Sequence, residues 1–331
     1  MKLSIGVPAY NQGSFLQETL ESILHQDVPF HEIVVSNNHS TDTTADVIAS
    51  IQNRYPGRVT LVVPPTHLTM VANWNFVASQ LTGDWFSLLS SDDLALTNFV
   101  RSVQKAATLS PNATLVRGAW RDINNKGEPL ADRHLLSVSA VTHPPKTLYE
   151  QRFGPKGSFA AFALRRDIWE KVGKFPEEVT LIGDWAMWLL AGALGDIVYT
   201  DDIIAAYRVG HQPDTLKARH HIHMREMLVM YQQILPRATR LGGFGEPAWI
   251  AQASRKGFRF FIAGTSQEYS PEERAKSIEP FRLWAEATDQ RNIFKRFERG
   301  ETISSPANLQ FLKSLIRRAL AMSRRLPSAG S

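Results

Sequence analysis

Residues 87 to 96 read "SLLSSDDLAL". An apolar run, Phe86 to Leu89, breaks into two serines and two adjacent carboxylates, Asp92 and Asp93, before apolar sequence resumes. Two neighbouring negative charges at the end of a buried segment repel each other unless something opposes them. They can open a helix, where aspartate is favourable by itself. They can also hold a hard divalent cation, Mg²⁺ or Mn²⁺, which takes oxygen ligands and shares them with phosphates.

Two more polar clusters follow apolar runs in the same way: "PAYN" after "LSIGV", and "SNNHS" after "EIVV". A site for a nucleoside diphosphate needs a flat partner for the base, polar groups for the base edge, cations for the phosphates and a base for the nucleophile. Tyr10 offers the ring, unless it is ordinary packing, and the backbone at Pro8 and Ala9 can approach a ligand closely. Asn37 and Asn38 can donate and accept at a base edge.

Several other chemistries are excluded. The chain has no cysteine, so disulfides, thiolate metal sites and cysteine nucleophiles are ruled out. It has no G-x-x-x-x-G-K loop, no G-x-G-x-x-G after its first apolar run and no H-E-x-x-H. "GSFAAF" lacks the nucleophile-elbow pattern. The histidines of "RHHIHM" are not spaced i and i+4, and read as a surface helix or loop.

The elements that position these residues alternate. "SFLQETLESILHQ" has helical spacing of Phe15, Leu16, Leu20, Ile23 and Leu24, with Ser14 and Gln17 as a capping box. "EIVVSN", "VTLVVPP" and "DWFSLLS" read as strands, and "MVANWNFVASQLTG" as a helix between the last two. Strands alternating with helices imply a parallel sheet with helices on its faces. Right-handed crossovers put the strand C-termini on one edge, where ligands of open α/β sheets bind. "PAYN", "SNNHS" and "SSDD" should therefore converge.

Beyond about residue 110 the pattern loosens. "ATLVRGAWRDI" and "DIVYTDDIIAAYRV" read as strands, and "RRDIWEKVG" and "DWAMWLLAGALG" as helices, with Trp169, Trp185 and Trp188 as core. From His211 onward the chain reads as mainly helical, with a boundary near residue 215.

With 331 residues, 43% hydrophobic and 21% charged, the chain has the composition of one large globular domain or two moderate ones. The start is too polar for a signal peptide, and no window has the length of apolar sequence that a membrane span needs. These features, with the absence of cysteine, lead us to expect a cytoplasmic protein. Net charge is +5, and residues 311 to 331 alone hold Lys313, Arg317, Arg318, Arg324 and Arg325 with no acidic residue, so the remainder is neutral. The basic pI is therefore no sign of a nucleic-acid-binding body.

"LSIGVPAYN", "EIVVSNNHSTDTT" and "NWNFVASQLTGDWFSLLSSDD" resemble, in order, the signatures of family 2 inverting glycosyltransferases, which have the GT-A fold. "GSFAAFALRRDIWEKVGKFPEE", "GDWAMWLLAGALG" and "YRVGH" resemble the later blocks of that family, so the likeness runs over roughly residues 3 to 211. It implies that Pro8 to Asn11 line the nucleotide, that Asn37 stands where an aspartate usually reads the base edge, and that Asn75 faces the donor. It also implies that Asp92 binds the metal, that Asp184 is the catalytic base, and that His211 is a late metal ligand displaced by one residue. The first position of the D-x-D motif is Ser90 here. "SSDD", with Ser91, Asp92 and Asp93, is then the metal and diphosphate end of the site.

The resemblance implies single displacement at the anomeric carbon of a nucleoside-diphosphate sugar, with one base taking the proton of an acceptor hydroxyl. The acceptor would be a glycan or a lipid-linked glycan. The division expected is a catalytic domain over 1–214, a helical region over 215–310 and a basic amphipathic tail over 311–331. That tail can lie on an anionic membrane surface at the cytoplasmic face, or dock on the protein's own body. Two rival readings stand beside this one: a nucleotidyltransferase, and a non-catalytic family member that binds glycans or partner proteins.

Overall fold

The computed structural model describes residues 1–135, 140–210, 220–245, 248–268 and 271–303. His211 and the tail 311–331 lie outside the described residues. The described residues form two compact units, one of residues 1–209 with 237–245, the other drawn from 210–236 and 246–303.

The first unit opens with alternating β1 (Leu3–Ala9), α1 (Gly13–Leu24), β2 (Ile33–Asn37), α2 (Thr44–Arg54), β3 (Thr60–Val62), α3 (Met70–Gln80) and β4 (Trp85–Leu88). It continues through β5 (Leu94–Ala95), α4 (Phe99–Ala107), β6 (Ala113–Ile123), β7 (Pro129–Arg133), β8 (Val141–Thr142), α5 (Lys146–Glu150) and β9 (Phe162–Arg165). Then come α6 (Arg166–Lys171), α7 (Gly183–Leu194) and β10 (Asp196–Arg208). The ten strands form one sheet with central order β3-β2-β1-β4-β9-β6-β10-β5. β3, β2, β1 and β4 run parallel, as do β6 and β10. β9 joins the two halves by running antiparallel to β4 and to β6. This is the expected GT-A-type α/β architecture.

The central strands are buried on both faces, so they read as apolar runs without alternation. Ile5, Val7, Val35, Leu89 and Val116 join Leu16, Leu20, Ile48, Ile51, Phe99 and Val103 of α1, α2 and α4 in one core layer. On the opposite face Gly6 allows α3 to approach: a Cβ there would lie 2.3 Å from Val77 and 2.9 Å from Leu88.

One expectation about a helix end is overturned, and one alternative is set aside. α1 begins at Gly13 with Gln12 as its N-cap, and no side chain of its own caps it. Its first amides are satisfied from the α2 side instead: Gly13 N–H donates to Asp42 Oδ2 (2.9 Å) and Gln12 N–H to Thr44 Oγ1 (3.2 Å). Asp92 and Asp93 cap no helix either. They sit in a turn before β5, and α4 begins only at Phe99, after Asn98.

The second unit is helical: α8 (His220–Val229), a π-helical turn (Met230–Ile234), the start of α9 (Leu235–Leu241), α10 (Trp249–Glu268), α11 (Pro271–Lys276), α12 (Ile278–Ala287) and α13 (Arg291–Glu298). Phe258, Phe281 and Trp284 form its core, with the Trp284 indole donating to Ser254. The histidine cluster begins α8. His223 lies beside Phe261, with ring centroids 5.5 Å apart, and desolvation pushes its pKa down to about 4. It is thus a neutral ring packed on Phe261.

Candidate active site at the strand ends

Parallel register sets Ala9 beside Asn37 and Gly6 beside Leu88, so the loops after β1, β2 and β4 leave from one edge. The loop after β1 is held open by hydrogen bonds. Asn11 adopts φ 50°, in the left-handed region that asparagine tolerates. Its N–H donates to Ser40 Oγ, and its Oδ1 accepts from the Thr41 N–H. Asn37 Oδ1 accepts from the Ser40 N–H at 2.9 Å. This stitching leaves Tyr10 46% exposed, its ring 4.6 Å from that of His67 and tilted by 51°. Pro8 and Ala9 end β1, paired with Ser36 and Asn37 of β2.

Two asparagines have different work from that expected. Asn38 is buried and pairs with one peptide: its Nδ2 donates to the Leu68 carbonyl and its Oδ1 accepts from the Leu68 N–H, at 2.9 and 2.8 Å. The Asn38 carbonyl also meets His67 Nδ1 at 3.1 Å. Asn38 therefore shapes the Tyr10–His67 platform through the 67–68 loop instead of offering a free amide. Asn75 is likewise occupied. It donates to the Phe175 carbonyl and to Glu177 Oε1, both at 3.0 Å, and accepts from the Phe175 N–H at 2.9 Å. It fastens the segment before α7 to α3.

Ser91, Asp92 and Asp93 are all buried. Asp93 Oδ1 accepts the Arg208 backbone N–H at 2.8 Å, while Arg208 Nε donates to the Asp92 carbonyl at 2.8 Å. The same guanidinium donates to the carbonyls of Asn124 and Asn125 and to Glu18 Oε2, and stacks on Phe15. One buried cation thus ties the end of β10 to the acidic turn, to α1 and to the β6–β7 turn. Asp93 Oδ2 is buried without a hydrogen-bond partner. Desolvation and the neighbouring Asp92 hold the Asp93 carboxyl well above the usual carboxylate range.

Asp184 lies in the first turn of α7, its Oδ1 accepting the Trp185 N–H at 2.7 Å. Gly183 lets this turn sit against α3, since a Cβ there would come within 3.1 Å of Val71 and 3.3 Å of Trp74. Burial raises the Asp184 carboxyl to about 6, while the Trp185 N–H and Arg117 pull the other way. Tyr207, the penultimate residue of β10, feels the charge of both acidic groups. Desolvation and then the charges of Asp93, Asp92, Asp184 and Asp122 push its hydroxyl far above the usual phenol range, so it stays a neutral phenol.

Arg117, Tyr207 and Arg208 were not among the residues expected here. Two had a legible signal. Arg117 interrupts the apolar run "ATLV", and Arg208 stands in the "YRVGH" block from which only the histidine was drawn. Among the described residues, no group of three or more histidines, aspartates and glutamates is placed to hold a metal. Nor is any helix among them long and apolar enough to cross a membrane.

A mostly parallel sheet of this order flanked by helices is a GT-A-type fold. The chain belongs to glycosyl transferase family 2, whose sequence pattern matches residues 4–173. It is 25% identical over 243 residues to the hyaluronan synthase of Pasteurella multocida, covering 71% of this chain and 23% of that protein. It is 26% identical over 180 residues to the poly(ribitol-phosphate) beta-glucosyltransferase of Bacillus spizizenii, covering 50% of this chain and 26% of that one. The chain spans about a quarter of the length of the hyaluronan and chondroitin synthases it matches. Among solved structures, S. aureus TarS 1-349 in complex with UDP-GlcNAc aligns with a TM-score of 0.64 at 18% identity, covering 98% of this chain and 88% of that one. A mannosyltransferase of Pyrobaculum calidifontis with GDP-Man and Mn²⁺ aligns with a TM-score of 0.51 at 16% identity, covering 90% and 86%.

Proposed function

We propose that this chain transfers a sugar from a nucleoside diphosphate to a hydroxyl of a glycan or lipid-linked glycan, with inversion, and that Asp184 is the general base. The observation that carries this is that Asp92 and Asp93 sit in a turn hydrogen-bonded to Arg208 at the end of β10, where the neighbouring Tyr207 feels the charges of both and of Asp184. Two acidic groups with different surroundings suit two tasks. Asp184, titrating about 6, is ionised at neutral pH and still basic enough to take a proton from an attacking hydroxyl. A glycosidase would instead need a second carboxyl acting as acid across the scissile bond. Tyr10 and His67 would hold the base between the β1 loop and Asn37.

The orphaned Oδ2 of Asp93, buried beside Asp92, is an oxygen that suits a hard cation. Asp92 and Asp93 would therefore hold Mg²⁺ or Mn²⁺. One or two carboxylates are enough where the remaining ligands are phosphate oxygens and water. Such an ion would offset the charge on the departing diphosphate. UDP-GlcNAc in TarS and GDP-Man with Mn²⁺ in the mannosyltransferase support a nucleotide-sugar donor and a metal here. The relatives named as hyaluronan, chondroitin and poly(ribitol-phosphate) enzymes support a polymer acceptor.

In this reading residues 1–214 are catalytic and 215–310 a helical addition. The basic sequence 311–331 brings the enzyme to an anionic membrane. Deleting 311–331 should then abolish co-sedimentation with anionic vesicles, and equal sedimentation would remove the membrane role.

The central test is Asp184→Asn, assayed for nucleoside diphosphate release and for nucleotide binding by thermal shift. Turnover should fall by about a hundred- to ten-thousand-fold while the nucleotide still stabilises the fold. Unchanged turnover would overturn the assignment of the base.

A further inference from the structure

Arg117 is the strangest charge in the first unit. It is 2% exposed, on β6, with Phe162 of β9 on one side and Tyr199 of β10 on the other. Its guanidinium donates to the Lys156 carbonyl and to Gln151 Oε1, and lies 4.5 Å over the ring of Trp188. Its Nε is buried without a hydrogen-bond partner, and no carboxylate of the described residues forms an ion pair with it. Burying a cation without a counter-ion costs several kcal/mol, roughly, even after relaxation. An apolar side chain would fill this place at less cost, unless the charge acts on something.

Its contacts lead to α7. Trp188 is four residues after Asp184, so the guanidinium stacks on the face of α7 that carries Asp184 one turn earlier. Gln151, which accepts from Arg117, also accepts from the Trp185 indole through its carbonyl (2.8 Å) and reaches the Trp188 carbonyl (3.4 Å). Arg117 and the first turn of α7 are therefore fixed to one another through the same glutamine and the same indoles.

We propose that Arg117 is a positioning residue for the base: its buried, unpaired guanidinium holds Asp184 in the charged, proton-accepting form within a desolvated site. This rests on Asp184 being the base. The direction of each group's titration agrees. Arg117 lowers the Asp184 carboxyl against the larger effect of burial, and Asp184, ahead of Glu150, supports the Arg117 charge against its own burial. The other groups around Asp184 do not replace it. Tyr207 from β10 is neutral, and beyond it stand Asp92, Asp93 and Asp122, with the Arg208 guanidinium engaged by the Asp92 carbonyl and by Glu18, and with Arg133 paired with Asp122. Glu150, the last residue of α5, bears on Arg117, and α3 carries no titratable side chain.

The test is kcat/KM as a function of pH for the full chain, Arg117→Gln and Arg117→Lys. The acid limb of the parent enzyme should lie near 6. In Arg117→Gln it should move up by about one pH unit, so that activity lost at pH 6 returns by pH 8. Arg117→Lys, which keeps the charge but not the fork, should fall between the two. A loss of activity uniform with pH, with the limb unmoved, would mean that Arg117 is only a strut and would overturn the proposal. If Arg117→Gln does not fold, Arg117→Lys decides alone: a limb above that of the parent supports the proposal, and an unchanged limb sinks it. Asp184→Asn separates the two claims. Turnover surviving in that variant removes the base itself, whereas an inactive Asp184→Asn beside an unmoved Arg117→Gln limb removes only the role of Arg117.

Discussion

Arg208 and Asp93 meet at the end of the sheet, where the backbone N–H of the one donates to Oδ1 of the other at 2.8 Å. The Arg208 side chain continues past this contact to the Asp92 carbonyl, to two carbonyls of the β6–β7 turn and to Glu18. Removing the guanidinium strands several buried acceptors at once. Arg208→Ala should cost about 3 kcal/mol or more in denaturant unfolding, since breaking a buried charged network exposes each partner's desolvation. Glu18 is half exposed, so Glu18→Ala should cost no more than about 1 kcal/mol. Equal losses for the two variants would mean that the ion pair, and not the carbonyl contacts, carries the stability.

Asn75 separates a structural amide from a ligand-binding one. All three of its hydrogen bonds go to Phe175 and Glu177. Asn75→Ala leaves the Phe175 peptide unpaired in a buried place and should cost about 1–3 kcal/mol. Nucleotide affinity, measured by titration on the folded variant, should stay within about twofold, below 0.5 kcal/mol. A tenfold loss of affinity with unchanged stability would return Asn75 to the donor site.

How much of this was legible in the sequence follows from what each residue's partner is. The alternating first half was readable because a strand buried on both faces must be apolar throughout, and its helices must show one apolar stripe. β9 was missed because four residues, Phe162–Arg165, carry no period, and their strand is defined only by β4 and β6 on either side. Asn38 and Asn75 looked chemical because an asparagine near a strand end or on a helix reads the same whether it faces a ligand or a peptide. Arg208 meets Asp93 across 115 residues of sequence, and no local pattern announces that pairing.

The Tyr10–His67 platform should bind the base by stacking. Tyr10→Ala should weaken nucleoside diphosphate binding by about 1–3 kcal/mol, and Tyr10→Phe should leave it nearly unchanged, because the ring and not the hydroxyl supplies the contact. Calorimetry with UDP and GDP would show it. A loss in Tyr10→Phe as large as in Tyr10→Ala would place a hydrogen bond where stacking is expected.

The acidic turn makes a separate prediction about metal. In a thermal-shift panel of UDP, dTDP, GDP and CMP, one nucleotide at 100 times its Kd should stabilise the parent by about 2.7 kcal/mol, and more with Mn²⁺ or Mg²⁺ than without. Asp92→Asn should remove the part that depends on metal and leave the rest. A nucleotide shift indifferent to metal in both proteins would keep the transferase and take the metal role from Asp92.

Asp184 also makes a prediction about stability, opposite in sign to its effect on turnover. Its carboxyl titrates at about 6 when folded, against 3.8 for the ordinary group. A carboxyl raised on folding binds its proton more tightly in the native state. Folding therefore takes up a proton between about pH 4 and 6, stability falls as pH rises through that window, and it stays lowered above it. The ionised carboxylate thus strains the fold at the pH where it serves as a base. Asp184→Asn, which keeps an acceptor for the Trp185 N–H, removes that strain. It should be more stable than the parent by about 2 kcal/mol at pH 7, raising Tm by roughly 4–8 °C, with the difference vanishing near pH 4. An inactive variant whose gain in stability grows between about pH 4 and 6 and persists above is what a desolvated base requires. A variant equally stable at both pH values would mean that water reaches Asp184 freely, and that its basicity must come from the acceptor complex instead.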